Sequence, residues 1–409
     1  MAAPHHLQSG PAAGPARTVR PSDPTLCAPL VPASLSRANT AARPHPPPFE
    51  PTHHPESTVH SRPPPRASLM FNSVLGAISA GVAIDLGTAN TRVHVVGRGV
   101  IIDTPTVVAI HEDRSGRRRV LATGRDAALM AGRAPADVRV VRPVCEGTIV
   151  DFEVLEAFLR LLMVHIHRRR LWVGPRVAVA VPHMLSDMEG RGVRETFEAA
   201  GAREVMLVER PLAAAVGVGL PIDDACGHMV IDVGAGHSSV SVLSLGEIVD
   251  WRQLSIGGDS VDAAIIGRLQ EQHGLLISRT GAEAARVAVG TAMPDERGQT
   301  WARGRHLPTG WPRALSVESH DLRGPILDLV RGLAHAALES LERVPPDLAA
   351  DIAETGIVLA GGMAHMQGLE AALGEMTGLP VVVPEAPAHV VVNGCAARLH
   401  SGRPSRIAI

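Results

Sequence analysis

Two stretches of this chain repeat one design: an apolar strand ending in Asp, then Gly and small residues, then another strand. They are Ile84-Asp85-Leu86-Gly87-Thr88-Ala89-Asn90-Thr91 and Ile231-Asp232-Val233-Gly234-Ala235-Gly236-His237-Ser238, about 150 residues apart. Each reads as a hairpin, so the chain must supply strands on either side of both turns. Glycine lets backbone N–H groups approach an anion closely, and the Thr88, Asn90 and Thr91 side chains add donors. An acidic residue just ahead of such a turn suits a Mg²⁺ held largely through its waters. One copy alone is an ordinary tight hairpin, whereas two copies facing each other form a phosphate clamp. Two more glycine pairs follow in order, Gly257-Gly258-Asp259 opening a helix and Gly361-Gly362-Met363 after a strand over 356–359.

Short β-rich runs alternate with amphipathic stretches around these turns. Strands are predicted over 82–86, 91–97, 99–103, 106–110, 176–181, 204–208, 228–232 and 238–244. Helical periodicity is clearest over 153–167, 186–200, 258–272, 281–290, 321–343, 367–376 and 387–399. The alternation predicts an α/β protein with mixed sheets. The 409 residues suffice for about two to three globular units with a substantial core. A formal net charge of −2 argues against a protein built to coat nucleic acid. Lys and Tyr are absent, and with 40 Gly and 33 Pro this reads as codon bias in a GC-rich genome. Cys27, Cys145, Cys226 and Cys395 are scattered with no CxxC pair, which excludes a zinc ribbon or disulfide scaffold and fits a reducing cytosol. Cys226 and Cys395 read as small core residues.

Sixteen of the prolines precede Met70, so residues 1–69 are predicted to sustain neither helix nor ladder and to form a disordered extension. They also lack the apolar run of a signal peptide. Three origins fit them: a disordered tail, a proline-rich ligand for a partner domain, or codons upstream of a true start at Met70. The regular pattern that begins at Met70 favours the last.

The ordered set of four glycine turns, with the segments around them, resembles the bacterial MreB/Mbl family of actin-like rod-shape proteins. The matching segments are AIDLGTANTRVHVVGRGV (83–100), RPVCEGTIVDF (142–152), GAREVMLVERPLAAAVGVGLP (201–221), IGGDSVDAAII (256–266), VPPDLAADIAETGIVLAGGMAHMQGL (344–369) and GLPVVVPEAP (378–387). The resemblance runs from about Met70 to about Leu399. It implies an α/β actin-like ATPase fold, two duplicated lobes with mixed sheets flanked by helices around a central nucleotide cleft. It further implies subdomain IA over 70–102, 136–215 and 388–409, IB over 103–135, IIA over 216–251 and 318–387, and IIB over 252–317.

ATP and Mg²⁺ are the implied cofactors. Phosphate contacts would fall on Gly87, Thr88, Ala89 and Asn90 and on Gly234, Ala235, Gly236 and His237, with Gly257, Gly258 and Asp259 also counted as cofactor-binding. Asp85 and Asp232 match the acidic pair that organises Mg²⁺ through water. Nucleoside contacts would fall on the helix segment Glu283, Ala284, Ala285 and Arg286 and on the turn Gly361, Gly362, Met363 and Ala364. Arg286 keeps the charge of the family's Lys with a bulkier planar fork, and Met363 in place of Gly would narrow the adenine slot.

The departures concern hydrolysis. The family's Glu-Glu-Pro reads Glu209-Arg210-Pro211, and its Gly-Gly-Thr-Thr-Glu reads Ala235-Gly236-His237-Ser238-Ser239. Arg210 and His237 therefore stand where the family positions the attacking water, which predicts slow or absent hydrolysis. Arg210 is expected to bind the γ-phosphate, or His237 to act as a substitute base. Arg168-Arg169-Arg170-Leu171-Trp172 matches the loop in which relatives expose two hydrophobics, so Leu171 and Trp172 are the expected lipid contacts. Met70, Phe71, Val74, Leu75 and Ile78 form a weaker interfacial candidate.

Three functions follow from the resemblance. The first is a filament-forming cytoskeletal protein, cytoplasmic and peripheral at the inner face of the cell membrane. It would organise cell-wall synthesis through self-association, the membrane surface and cell-wall synthesis proteins, without nucleic acid. The second is a non-hydrolysing regulator or co-polymer of an active MreB homologue. The third is a small-molecule kinase or chaperone-type ATPase of the same superfamily, against which the lack of a second substrate module weighs.

Overall fold

Strand alternation organises the centre of the molecule. In Val82–Leu86 every residue is buried, so both faces of this strand are covered. Val82 and Ile84 pack into one core with Val93, Phe158 and Leu159. Ala83, on the opposite face, joins a second core made largely of small residues, among them Ala178, Ala213 and Ala214. The computed structural model describes residues 81–166, 174–294 and 296–401.

Two five-stranded mixed sheets share one topology. In the first, Val82–Leu86 pairs antiparallel with Asn90–Val95, which pairs antiparallel with Gly99–Pro105. Arg176–Val181 and then Glu204–Glu209 add in parallel on the other side. In the second, His228–Val233, Ser238–Ser244 and Glu247–Leu254 form the antiparallel part, with Ile357–Ala360 and Val381–Val382 added in parallel. Asp85 lies opposite Arg92 and Ala180, and Asp232 opposite Ser239 and Ala360. The two carboxylates thus occupy the same register of two equivalent sheets.

The helices repeat as well. Arg210–Val218 follows the last strand of the first sheet, and Val390–Ser401 comes after the last strand of the second. These two helices meet backbone to backbone. A Cβ on Gly217 would lie 1.9 Å from the Val390 carbonyl oxygen, and one on Gly394 would lie 1.8 Å from that of Ala213. Asp187–Ala199, between the parallel strands of the first sheet, begins at a capping box: the Glu189 N–H donates to Ser186 Oγ at 3.3 Å and the Ser186 N–H to Glu189 Oε2 at 3.0 Å.

All nine predicted strands, the one over 356–359 included, and all seven predicted helices are present, with ends shifted by a few residues at most. Two peripheral three-stranded sheets supply most of what was not predicted. Arg118–Thr123 and Val138–Val141 flank Val108–Glu112, while Leu275–Ile277 pairs with Gln299–His306, which pairs with Pro312–Glu318. Gln299–His306 buries only Ala302, so its period-two signal has almost no apolar side chains to carry it. Glu247–Leu254 and the helices Gly124–Met130 and Pro346–Thr355 were likewise not predicted. Cys395 is a fully buried core residue as expected, whereas Cys226 is only half-buried, because it lies in the turn ahead of His228–Val233 rather than in a strand.

Among the described residues no helix is long and apolar enough to cross a membrane. Leu171, Trp172, the Arg168–Arg170 run, the 70–78 stretch and the 1–69 extension lie outside the described residues.

The contact between the two equivalent helices has a measurable cost. Gly394→Ala places a methyl against a backbone carbonyl and is expected to destabilise the fold by about 2 kcal/mol or more in denaturant unfolding. Gly267, inside the helix Gly258–His273, would place its Cβ in open space. Gly267→Ala is therefore expected to raise stability by up to about 1 kcal/mol in the same measurement.

Candidate functional site

The two polar turns close identically. The Gly87 N–H donates to the Asn90 carbonyl at 3.1 Å, and the Gly234 N–H donates to the His237 carbonyl at 3.0 Å. A Cβ on Gly87 or Gly234 would lie 2.6 or 2.7 Å from that same oxygen, so the bend excludes any side chain there. The turns also face each other: a Cβ on Gly236 would meet Thr88 Oγ1 at 2.7 Å. Between them lies a cleft. Gly87, Thr88, Ala89 and Asn90 line one side, and Gly234, Ala235, Gly236 and His237 the other, with Asp85, Asp232 and Arg210 at its base. Glu283 and Arg286, one helical turn apart on Arg279–Val289, add to the lining with Arg92, Gly361, Gly362 and Met363.

Other sequence-predicted residues have different employment. Gly257 and Gly258 back the second turn, where the Gly258 N–H donates to the Gly234 carbonyl at 3.1 Å. The Asp259 carboxylate pairs with Arg142 at 3.1 Å and with Arg279, and it does not line the cleft. Ala284 is exposed, while Ala285 and Ala364 belong to the hydrophobic core. Two predicted anion donors are engaged internally: Thr91 shares a hydrogen bond with Thr106 at 2.8 Å, and one of the two N–H groups of the Asn90 amide donates to Asp103 at 2.6 Å.

The base of the cleft departs from expectation. Arg210 Nε and Nη2 donate to Asp232 Oδ2 at 3.2 and 3.0 Å, and Nη1 donates to Asp85 Oδ1. Asp85 and Asp232 were expected to hold a hydrated Mg²⁺; their partner is instead the guanidinium expected at the γ-phosphate. The reason is electrostatic, since two buried carboxylates brought together by equivalent strands require a cation. Burial alone would lower the Arg210 pKa, but the charges of Asp85 and Asp232 outweigh it and hold the guanidinium protonated. Arg92 adds a second cation, its Nη1 3.9 Å from Asp85 and its Nε 3.1 Å from Asp103. Mg²⁺ demands an octahedral shell of oxygens, and here both carboxylates are engaged by guanidinium groups, so this donor set does not fit the ion. Among the described residues, no cluster of three or more His, Cys, Asp or Glu offers another metal site.

Glu209, next to Arg210, and His237, the expected substitute base, are both constrained. Glu209 is hydrogen-bonded to His183 Nδ1 at 2.6 Å. The pKa of His237 is lowered by burial first and by the Arg210 charge second, so its imidazole is neutral at neutral pH. Its Nδ1 is buried without a partner among the described residues. The ring lies against Gly147, at φ +80°, where a Cβ would come within 2.7 Å of Cε1.

Arg286 is held by Asp262, with Nε 2.6 Å from Oδ1 and Nη2 3.3 Å from Oδ2. Burial raises the Asp262 pKa, and the Arg286 hydrogen bonds and charge oppose that rise. Met363 Sδ lies 3.0 Å from Arg286 Nη1 and would lie 3.0 Å from a Cβ on Gly258, so this side chain fills the space between them. Sequence reasoning missed Asp262, Arg92 and Arg142. Asp262 had a readable signal, because it lies on the same helical stripe as the buried Ile265 and Leu269, where an acid needs a cation. Arg92 was readable from the hairpin register, which sets it opposite Asp85 and Asp103 on the neighbouring strands, whereas Arg142 had no signal, since its partner Asp259 lies 117 residues away.

Arg286→Ala leaves Asp262 a buried acid without its partner and is expected to cost about 3 kcal/mol in denaturant unfolding. Arg286→Lys is expected to recover part of this, keeping the charge but losing the fork. The lowered pKa of His237 has a definite sign. The unfolded chain takes up this proton near pH 6.5 and the folded chain only below that, so acidification through pH 6.5 destabilises the fold. The Tm of the wild type minus that of His237→Thr is therefore expected to fall as pH drops from about 7.5 to about 5.5; a constant difference would contradict this.

Residues 79–404 match the family model described as MreB/Mbl protein. The chain is 41% identical over 328 residues to the cell shape-determining protein MreB of Escherichia coli K12, spanning 80% of this chain and 94% of that one. It is 36% identical over 319 residues to the cell shape-determining protein Mbl of Bacillus subtilis 168, spanning 78% and 95% respectively. Among solved structures it is similar to MreB5 of Spiroplasma citri bound to AMPPNP, with a TM-score of 0.74, 26% identity and coverage of 79% of this chain and 96% of that one. The MamK double helical filament shares the fold, with a TM-score of 0.67, 20% identity and coverage of 80% and 100%. The duplicated sheets around a cleft are an actin-like fold, and the chain belongs to the MreB/Mbl family.

Proposed function

We propose that this protein binds ATP between its two glycine turns and assembles into cytoskeletal filaments that determine cell shape by organising cell-wall synthesis. The observation that carries the nucleotide reading is the pair of equivalent turns, Gly87–Asn90 and Gly234–His237, facing each other across one cleft. The AMPPNP-bound relative supports it, as the relatives named cell shape-determining proteins support the cellular role. The filaments are cytoplasmic and peripheral to the inner face of the membrane, with Leu171 and Trp172 as lipid contacts. Hydrolysis is slow or absent, because Arg210 is a cation engaged with two carboxylates and Glu209 is engaged with His183. The same observation favours a second reading, in which the chain co-polymerises with or regulates an active MreB homologue. Subdomains IA, IB, IIA and IIB are assigned as in the sequence reading.

Electron microscopy on anionic lipid monolayers with ATP, alongside phosphate release, tests this. Wild-type filaments on lipid, lost from the monolayer in Leu171→Ser/Trp172→Ser, are the expected result. Filaments that form only after an active homologue is added favour the second reading, and none in either case overturns both. Phosphate release at the rate of ordinary MreB proteins would overturn the hydrolysis assignment.

A further inference from the structure

We infer that Arg210 takes the place of the divalent cation in this cleft, so that a nucleoside triphosphate binds here without Mg²⁺. The inference rests on the nucleotide reading above and concerns what neutralises the phosphates and the two acids beneath them.

Asp85 and Asp232 are 1% and 5% exposed, too buried to remain charged without compensation. Three of the five guanidinium N–H donors of Arg210 are engaged with them, which leaves two for another acceptor. The Arg210 side chain is itself only 13% exposed and lines the cleft together with Thr88, Ala235 and Gly236 of the two turns. Arg210 also lines a second cavity whose walls include Leu86, Val144 and Ile149, and its own burial keeps its charge interactions weakly screened. A phosphate between the turns therefore meets a fixed guanidinium at the point where the acids would otherwise repel it. A guanidinium is suited to this, being permanently charged and able to bridge oxygens of two groups.

A divalent ion added to this arrangement would face repulsion from Arg210 and, 3.9 Å from Asp85, from Arg92. Asp232 Oδ1 is the floor oxygen without a partner among the described residues. One monodentate oxygen beside two guanidiniums does not make an octahedral site, and it suits a single water.

Calorimetric titration of the full chain with AMPPNP, in excess EDTA and in MgCl₂, tests the inference. Wild-type affinity is expected to agree within about twofold between the two buffers. Arg210→Gln removes the cation and is expected to bind about tenfold more weakly in EDTA, with Mg²⁺ restoring the loss. Titrating MgCl₂ without nucleotide gives a second readout, with heat expected from Arg210→Gln and none from the wild type. Wild-type binding that requires Mg²⁺ overturns the inference while leaving the nucleotide reading intact. Arg210→Gln binding equally in both buffers also overturns it. No binding by the wild type in either buffer overturns the nucleotide reading and this inference with it. The wild-type comparison decides the matter even if the variant does not fold.

Discussion

The interior of this molecule depends on one guanidinium between two carboxylates. Asp85 belongs to the first sheet, Asp232 to the second, and Arg210 to the first turn of the helix that follows the first sheet. Duplication creates the problem that Arg210 solves, because equivalent strands carry equivalent acids to the base of the shared cleft. Two buried anions without a cation would repel each other and push the sheets apart. With Arg210 between them, the acids become the attachment of both halves to one helix. The same ion pairs that hold the base of the cleft together also decide what charge a ligand entering it will meet.

Around that centre the halves are joined by shape rather than charge. The helices Arg210–Val218 and Val390–Ser401 approach through Gly217 and Gly394 to distances that no side chain would permit. The core between the sheets is rich in alanine, with Ala83, Ala178, Ala213 and Ala214 all fully buried. Small residues let backbones come close, and that closeness brings the first turn of one helix within reach of carboxylates from both sheets. Farther out, Arg142 joins Asp259 across the two halves. Packing thus positions the charges, and the charges then complete the packing.

Much of the fold was legible in the residue pattern. The central strands are continuous apolar runs bounded by glycine turns, and the long helices carry clear stripes, so their boundaries could be read within a few residues. The peripheral sheets were not legible. Gln299–His306 and Arg118–Thr123 bury few side chains, and their strand character comes from pairing with neighbouring strands rather than from their own composition. The cleft was legible in its glycines and its aspartates, because close backbone approach admits no other residue and leaves a mark at each position. The buried position of Asp262 was marked by its helical stripe, but which cation each acid would take was not. Asp259 pairs with Arg142 and Arg279, and Arg286 with Asp262, through contacts between segments well separated along the chain.

The sequence by itself determined that two glycine turns, each behind an aspartate, would bend two strands in the same way. Local sterics suffice for that, since the Gly87 and Gly234 bends depend on atoms only three residues away. The resemblance to the MreB/Mbl family adds the expectation that Arg210 and His237 stand where that family positions the attacking water. What Arg210 does there was decided only by the tertiary structure. A long cation beside a phosphate site can turn outward to the ligand or inward to buried acids. The choice depends on how near Asp85 and Asp232 come to each other, a distance set by the packing of two sheets whose strands are about 150 residues apart. Coulomb energy grows as separation shrinks and water is excluded, and only the folded chain brings those carboxylates close enough to claim the cation.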